Sequence, residues 1–235
     1  MHTDADPLHD TTFTRPRMMG PNCLRLAEEL LDHVDLTACS RILDLGCGLG
    51  LTSLLLARRT RAQIVAFDLW IDAATNQDCF NRLGFGRDIL AVHGDVRQMP
   101  FGQAAFDAIV CIDAYCYFGA DPRFLDDHLA PRLGPGGTIA VVVPGLQKEF
   151  TDGVPEVLQP FWQEDINFHD ARWWAGLFSR ASRVRLQECF SLAGHAQAWR
   201  EWLECDNPYA KRDITMMAAE NGQYFDTIGL IATVV

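Results

Sequence analysis

The chain has 235 residues, of which 49% are hydrophobic, and a formal net charge of −11. This length suits one α/β domain, and the apolar content fills a core and excludes a disordered chain. A nucleic-acid binder is excluded by the missing basic patch: Lys occurs only at Lys148 and Lys211, and acids surround the arginine groups at Arg58, Arg59, Arg61 and at Arg180, Arg183, Arg185.

Residues 13–22 (FTRPRMMGPN) are apolar and basic with two prolines, so they read as neither helix nor strand. A free tail would leave Phe13, Met18 and Met19 uncovered, so this segment is expected to pack as a lid over a ligand cleft. Helical spacing follows over 21–34. Arg41–Leu45 is an apolar run short enough for a buried strand, and Gly46-Cys47-Gly48-Leu49-Gly50 is a turn with glycine at alternate positions. Leu51–Arg59 is helix-compatible. Strand, glycine turn and helix in this order build a nucleotide-type site at the end of a first strand. Gln63–Asp68 is a second strand, 72–83 a helix closed by Gly84, and Ile89–His93 a third strand before Gly94-Asp95. A fourth strand is read at 108–113, a helix at 124–133 stopped by Gly134-Pro135-Gly136-Gly137, and a fifth strand at 138–143. Val/Ile runs alternating with helices predict a parallel sheet covered on both faces. The pattern then loosens. Residues 146–169 hold no clear strand, 171–181 reads as helix, and 183–190 as strand. Residues 194–222 are a long excursion with an amphipathic helix at 196–203, and 227–235 is a final strand. With no plain crossover helix before it, that strand is expected to pair antiparallel at the sheet edge.

The strand ends carry acids: Asp44, Asp68, Asp95 and Asp113. Ligands of open α/β sheets bind outside these ends. Four converging carboxylates would repel a pyrophosphate and suit hydroxyls, an exocyclic amine and a positive centre. Asp68 is placed for both ribose hydroxyls and Asp95 for an adenine amino group, while Asp44 and Asp113 face an ammonium or sulfonium. The competing reading, in which strand-end acids merely cap turns and helices, weakens when all four occur in this order.

ILDLGCGLG, VAFDLW, HGDVRQMPF, FDAIVCIDAYCYFG and LGPGGTIAVVVPG resemble the successive motifs of class I S-adenosylmethionine-dependent methyltransferases, closely over 21–145 and more loosely over 183–190 and 227–235. The resemblance implies a three-layer Rossmann-like α/β fold with a seven-stranded, mostly parallel sheet of order 3-2-1-4-5-7-6, strand 7 antiparallel. It implies S-adenosyl-L-methionine as cofactor. By the family pattern, Asp44, Gly46, Cys47 and Gly48 line its methionine and ribose portion, and Asp68 takes the ribose. Leu69 and Trp70 flank the adenine, Asp95 and Val96 take its edge, and Asp113 and Ala114 lie beside the reacting methyl. From the lid, Arg15 or Arg17 would meet the methionine carboxylate, Arg17 being the candidate carried forward. The whole chain also resembles the small bacterial enzymes labelled methyltransferase type 11 or cyclopropane-fatty-acid-synthase-like.

One domain over 1–235 is expected, with lid and first helix at 1–37 and substrate-capping insertions at 146–170 and 194–226. The insertions and the loop after strand four bring aromatics (Phe150, Phe161, Trp162, Phe168, Trp199, Trp202) and acids (Glu149, Glu164, Asp165, Glu201, Glu204). Such walls favour a small amphipathic or cationic acceptor. Asp113, Tyr115, Tyr117 and Asp206 are the catalytic candidates, with Glu204, Asn207 and Tyr209 as further acceptor contacts and His169 and His195 as candidate bases. The eight cysteines read as buried hydrophobes in a reducing compartment, the sharper alternative being a thiol pair or triad on a soft metal or metalloid, with Cys116 and Cys205 the residues to test. No metal site is expected. No apolar run reaches the roughly 20 residues of a membrane helix, and the first ten residues are too acidic for a signal peptide. A cytoplasmic monomer or homodimer without membrane or nucleic-acid partners is expected. Two alternatives remain: cyclisation of the cofactor with release of methylthioadenosine, and a non-catalytic cofactor-binding subunit.

Overall fold

In the computed structural model residues 6–163 and 167–235 are described. Glu164 and Asp165 lie outside the described residues. In chain order the main elements are α1 (Thr11–Thr14), α2 (Cys23–His33), β1 (Arg41–Leu45), α3 (Leu51–Arg59), β2 (Gln63–Asp68), α4 (Ala73–Arg82), β3 (Ile89–His93), β4 (Phe106–Ile112) and β5 (Leu133–Leu146). After these come β6 (His169–Asp170), α5 (Ala171–Ser179), β7 (Val184–Ser191), α6 (His195–Leu203), α7 (Pro208–Glu220) and β8 (Phe225–Val234).

The strands form one mixed sheet of order β3-β2-β1-β4-β5-β8-β7, with β6 beside β5. The first five strands are parallel, and β8 runs antiparallel to both β5 and β7. Side chains alternate across the sheet, so each central strand feeds two cores. Ile42, Ile64, Ala66 and Val110 join α2, α3 and α6 on one face. Leu43, Val65, Phe67 and Ile109 join Trp174, Leu177 and Phe178 of α5 on the other. Both faces are covered, which is why these strands read as continuous apolar runs. Strand order reverses between β1 and β4, and at such a point a crevice opens at the carboxyl ends.

Four sequence expectations need correction. The sheet has eight strands, because β6 pairs with the end of β5 (Gly145 with His169, Leu146 with Asp170); a two-residue strand shows no periodicity. Gly134–Gly137 does not precede β5 but lies inside it, where the register jumps from Phe106–Leu133 to Ala108–Thr138. The predicted helix at 124–133 is a π-helical turn over Leu125–Leu129 and a 3-10 turn over Ala130–Arg132, because Pro131 has no N–H to continue a helix. Residues 13–22 contain the end of α1 and a 3-10 turn over Arg15–Arg17, begun by Asp10, whose carboxylate accepts from the Thr12 N–H at 2.8 Å.

The excursion before β8 hides α7. Its inward positions Ala210, Asp213, Met217 and Glu220 are spaced three, four and three apart, as a helix requires, but two of them are acids. Both acids are engaged. Asp213 accepts from the Trp202 Nε1–H at 2.8 Å, and the Glu220 carboxylate accepts from the backbone N–H groups of residues 222–225. Asn207 caps α7, Pro208 starts it, and Asn221 closes it in the left-handed region. Among the described residues no helix is long and apolar enough to cross a membrane.

Candidate functional site

The carboxyl ends of β1 to β4 converge on a cavity of about 350 Å³. After β1 the chain turns through Gly46 (φ 73°) and Gly48 (φ 52°), a region that strains L side chains. A Cβ on Gly46 would stand 2.4 Å from Ala114 Cβ, and one on Gly48 would stand 3.0 Å from Met19 Sδ. The missing side chains let the turn approach the loop after β4 and the amino-terminal segment. Gly46 and Cys47 donate their N–H groups to the Phe67 carbonyl at 2.8 and 3.2 Å.

Asp68 ties two turns together. One of its oxygens accepts from the Gly48 N–H at 2.9 Å, and the other accepts from the Trp70 and Ile71 N–H groups at 2.7 and 2.9 Å. Asp95 caps the 3-10 turn Val96–Gln98, accepting from the Arg97 N–H at 2.8 Å, and lines the cavity as well. Capping and wall-forming coincide in this residue.

Asp44 lies beneath the cavity and is absent from its wall. Its buried carboxylate accepts from Thr52 Oγ1 at 2.6 Å and Ser53 Oγ at 2.5 Å through one oxygen. The other, Oδ1, is buried without a partner among the described residues. Burial pushes this carboxyl up to about 6 despite the two hydroxyls. Asp113, in the wall, has φ 57°, and its Oδ2 would be 2.3 Å from a Cβ on Gly20. Burial, then the charge of Asp213, pushes it up to about 7.

Other predicted residues also meet at the cavity. Gly46, Cys47 and Gly48 form one side, and Leu69, Trp70, Val96 and Tyr117 stand around the same space. Trp70 and Tyr117 are 62% and 61% exposed and meet edge to face at 5.0 Å. Arg17 is in the wall, with Nη1 donating to the Phe13 carbonyl at 2.8 Å and its guanidinium 3.9 Å over the Phe13 ring. Met19, Gly20, Pro21 and Cys23 line the cavity too. The sequence reading drew only the arginines from this segment. The run Met18-Met19-Gly20-Pro21 held the other signal, apolar residues next to a glycine that a carboxylate can approach.

Tyr115 and Asp206 are corrected. Tyr115 is fully buried, its ring among Phe118, Phe124, Trp174 and Phe178, and it does not line the cavity. Beginning a 3-10 turn after β4 aims it into the core under the sheet. The Asp206 side chain is 93% exposed and pairs with Lys211 at 2.5 Å. No described residue of 146–170 or 194–226 lines the cavity. Glu204 pairs with Arg15, Asn207 caps α7, and Tyr209 is exposed. His169 stacks on Trp173 and contacts Glu149, and His195 meets Thr227 Oγ1 at 2.8 Å. The thiols do not assemble: Cys116 is buried, Cys205 Sγ lies 3.7 Å from Met18 Sδ, and burial raises both. No group of three or more His, Cys, Asp or Glu among the described residues is placed to hold a metal ion.

A family model described as a methyltransferase domain matches residues 42–137. A sterol 24-C-methyltransferase of Eremothecium gossypii is 27% identical over 153 residues, 63% of this chain and 40% of that protein. The chain spans about two fifths of the length of two curated relatives, this one and a methyltransferase of Streptomyces halstedii. Among solved structures, geranyl diphosphate C-methyltransferase from Streptomyces coelicolor A3(2) superposes with a TM-score of 0.73 at 16% identity, covering 89% of this chain and 77% of that one. The [4+2]-cyclase SpnF superposes at 0.68 with 19% identity, covering 89% and 80%. At such identities the structural likeness carries the fold alone.

Proposed function

We propose that the chain carries a class I S-adenosylmethionine-dependent methyltransferase domain and transfers a methyl group from S-adenosyl-L-methionine to a small-molecule acceptor. One observation carries the reading: β1, β2, β3 and β4 deliver the Gly46-Cys47-Gly48 turn, Asp68, Asp95 and Asp113 to a single cavity. The donor set fits the cofactor. Asp68 and Asp95 in the wall suit the ribose hydroxyls and the adenine amine.

When bound, the cofactor supplies a methyl group already activated on a sulfonium. The protein then has to bind, align and exclude water. Asp68 keeps one acceptor site beyond its three backbone donors, on the oxygen bonded to Gly48, and accepts a ribose hydroxyl there. Leu69 and Val96 give the adenine apolar walls, and Asp95 accepts from its amino group. Asp44 holds the turn from below through Thr52 and Ser53. Met19, Gly20 and Pro21 close the cavity as a lid. Asp113 and Tyr117 face the acceptor. The chain acts as a single domain.

Calorimetry with S-adenosylhomocysteine and an acceptor screen test the proposal. Micromolar binding, and release of S-adenosylhomocysteine only when an acceptor pool is added, are expected. Release of methylthioadenosine from S-adenosylmethionine alone would replace methyl transfer with cyclisation of the cofactor. Absence of binding would overturn the cofactor assignment itself.

A further inference from the structure

The acceptor end of the cavity has a charge asymmetry of its own. Arg17 and Arg97 are the cationic residues of the wall among the described residues, and both are engaged, Arg17 by Phe13 and Arg97 by Asp95 at 3.6 Å. Asp113 is different. Its carboxylate lines the cavity without a hydrogen-bond donor among the described residues, and the bare backbone of Gly20 is pressed against it. Asp213 of α7 lies outside the wall, fixed by the Trp202 indole at 2.8 Å, and its charge reaches Asp113. The exposed Trp70 and Tyr117 rings complete the arrangement at the rim, meeting edge to face.

A desolvated carboxylate with no partner attracts a cation and repels an anion, and aromatic faces do the same more weakly. A diphosphate or carboxylate acceptor would meet uncompensated negative charge here. We infer that the acceptor presents a basic nitrogen on an apolar body, the nitrogen at Asp113 and the body against Trp70 and Tyr117. This inference rests on the methyltransferase reading. In the transfer, the ammonium gives a proton to Asp113, and the freed lone pair forms the new C–N bond. The C–S bond breaks with its electron pair left on sulfur, and Asp113 returns its proton to water.

Three probes that share a body and differ in head group test the inference: 2-phenylethylamine, 3-phenylpropionate and 2-phenylethanol. Their affinities are measured by calorimetry on the full chain saturated with S-adenosylhomocysteine. The amine is expected to bind at least about tenfold tighter than the alcohol, which corresponds to about 1.4 kcal/mol, and the carboxylate weakest of all. D113N should abolish that preference and leave S-adenosylhomocysteine affinity within about threefold. W70A, at an exposed site, should weaken amine and alcohol together.

Equal binding of the three probes, tighter binding of the carboxylate, or binding of none overturns the inference. If D113N loses S-adenosylhomocysteine as well, Asp113 belongs to the cofactor site and the inference falls. Failure of the unmodified protein to bind S-adenosylhomocysteine is a separate result, and it overturns the methyltransferase reading instead.

Discussion

At the scale of single residues, the candidate site depends on carboxylates that do more than one thing. Asp68 accepts three backbone N–H groups from two turns. Asp68→Asn replaces one acceptor oxygen with a donor facing those groups, a mismatch of about 1–3 kcal/mol. S-adenosylhomocysteine affinity is therefore expected to fall roughly tenfold to a hundredfold in calorimetry, with the fold retained in circular dichroism. Asp113 makes a prediction with a definite sign. Its carboxyl is pushed from the ordinary 3.8 to about 7, chiefly by burial. The folded state therefore holds a proton that the unfolded chain has released, and stability falls as pH rises through that window. Asn carries no charge, so the melting temperature of D113N minus that of the unmodified protein should grow between about pH 4 and pH 7 and then level off. The scale is of the order of a few kcal/mol, and a flat difference across that range would count against a half-buried, unpaired Asp113. Asp68 and Asp113 were legible from their positions after apolar strands. Tyr115 was not, because a residue two positions beyond Asp113 can face the cavity or the core, and only the 3-10 turn at Tyr115–Tyr117 decides which.

At the scale of elements, the lid is fastened by α6. Glu201 accepts from Asn22 Nδ2 at 2.6 Å, from Arg25 Nη2 at 2.5 Å and from Gln197 Nε2 at 2.8 Å. Burial raises this carboxyl, but the hydrogen bonds from Arg25, Gln197 and Asn22 outweigh it and hold it at about 2. Asn22 is also the amino-terminal cap of α2, so one carboxylate on α6 fixes the point where the lid becomes helix. Glu201→Gln should cost about 1–3 kcal/mol at pH 7 and loosen residues 13–22. Faster tryptic cleavage after Arg17, and a lower melting temperature, are the expected readings; unchanged cleavage would show that Met18 and Cys205 hold the lid without Glu201. The contribution of Glu201 is present above the ordinary carboxyl range and is lost as pH falls toward about 2. β1, β2, β3 and α3 were read with their observed limits because periodicity and glycine punctuation agree there. The inward acids of α7 hid that helix, although Asn207-Pro208 and Asn221-Gly222 mark its ends.

At the scale of the whole molecule, the cavity joins the ends of four strands to the amino-terminal segment, so a ligand bound there stabilises every element that contributes to it. At a hundred times its dissociation constant S-adenosylhomocysteine should add about 2.7 kcal/mol. For a domain of this size that raises the melting temperature by roughly 5–10 °C; no rise at saturating ligand would place the binding elsewhere or nowhere. The sequence by itself determined the α/β class, the order of the parallel strands, the glycine turn and the acids at four strand ends. Those are local properties: an apolar run, a residue without Cβ and a charge at the end of a strand each act within a few positions of the chain. Only the tertiary structure decided which of these residues face the cavity. It placed Asp44 beneath the wall, turned Tyr115 into the core, and kept the described residues of the 146–170 and 194–226 segments off the wall. Such outcomes depend on packing between residues far apart in the chain, and that packing leaves no periodic trace in the sequence.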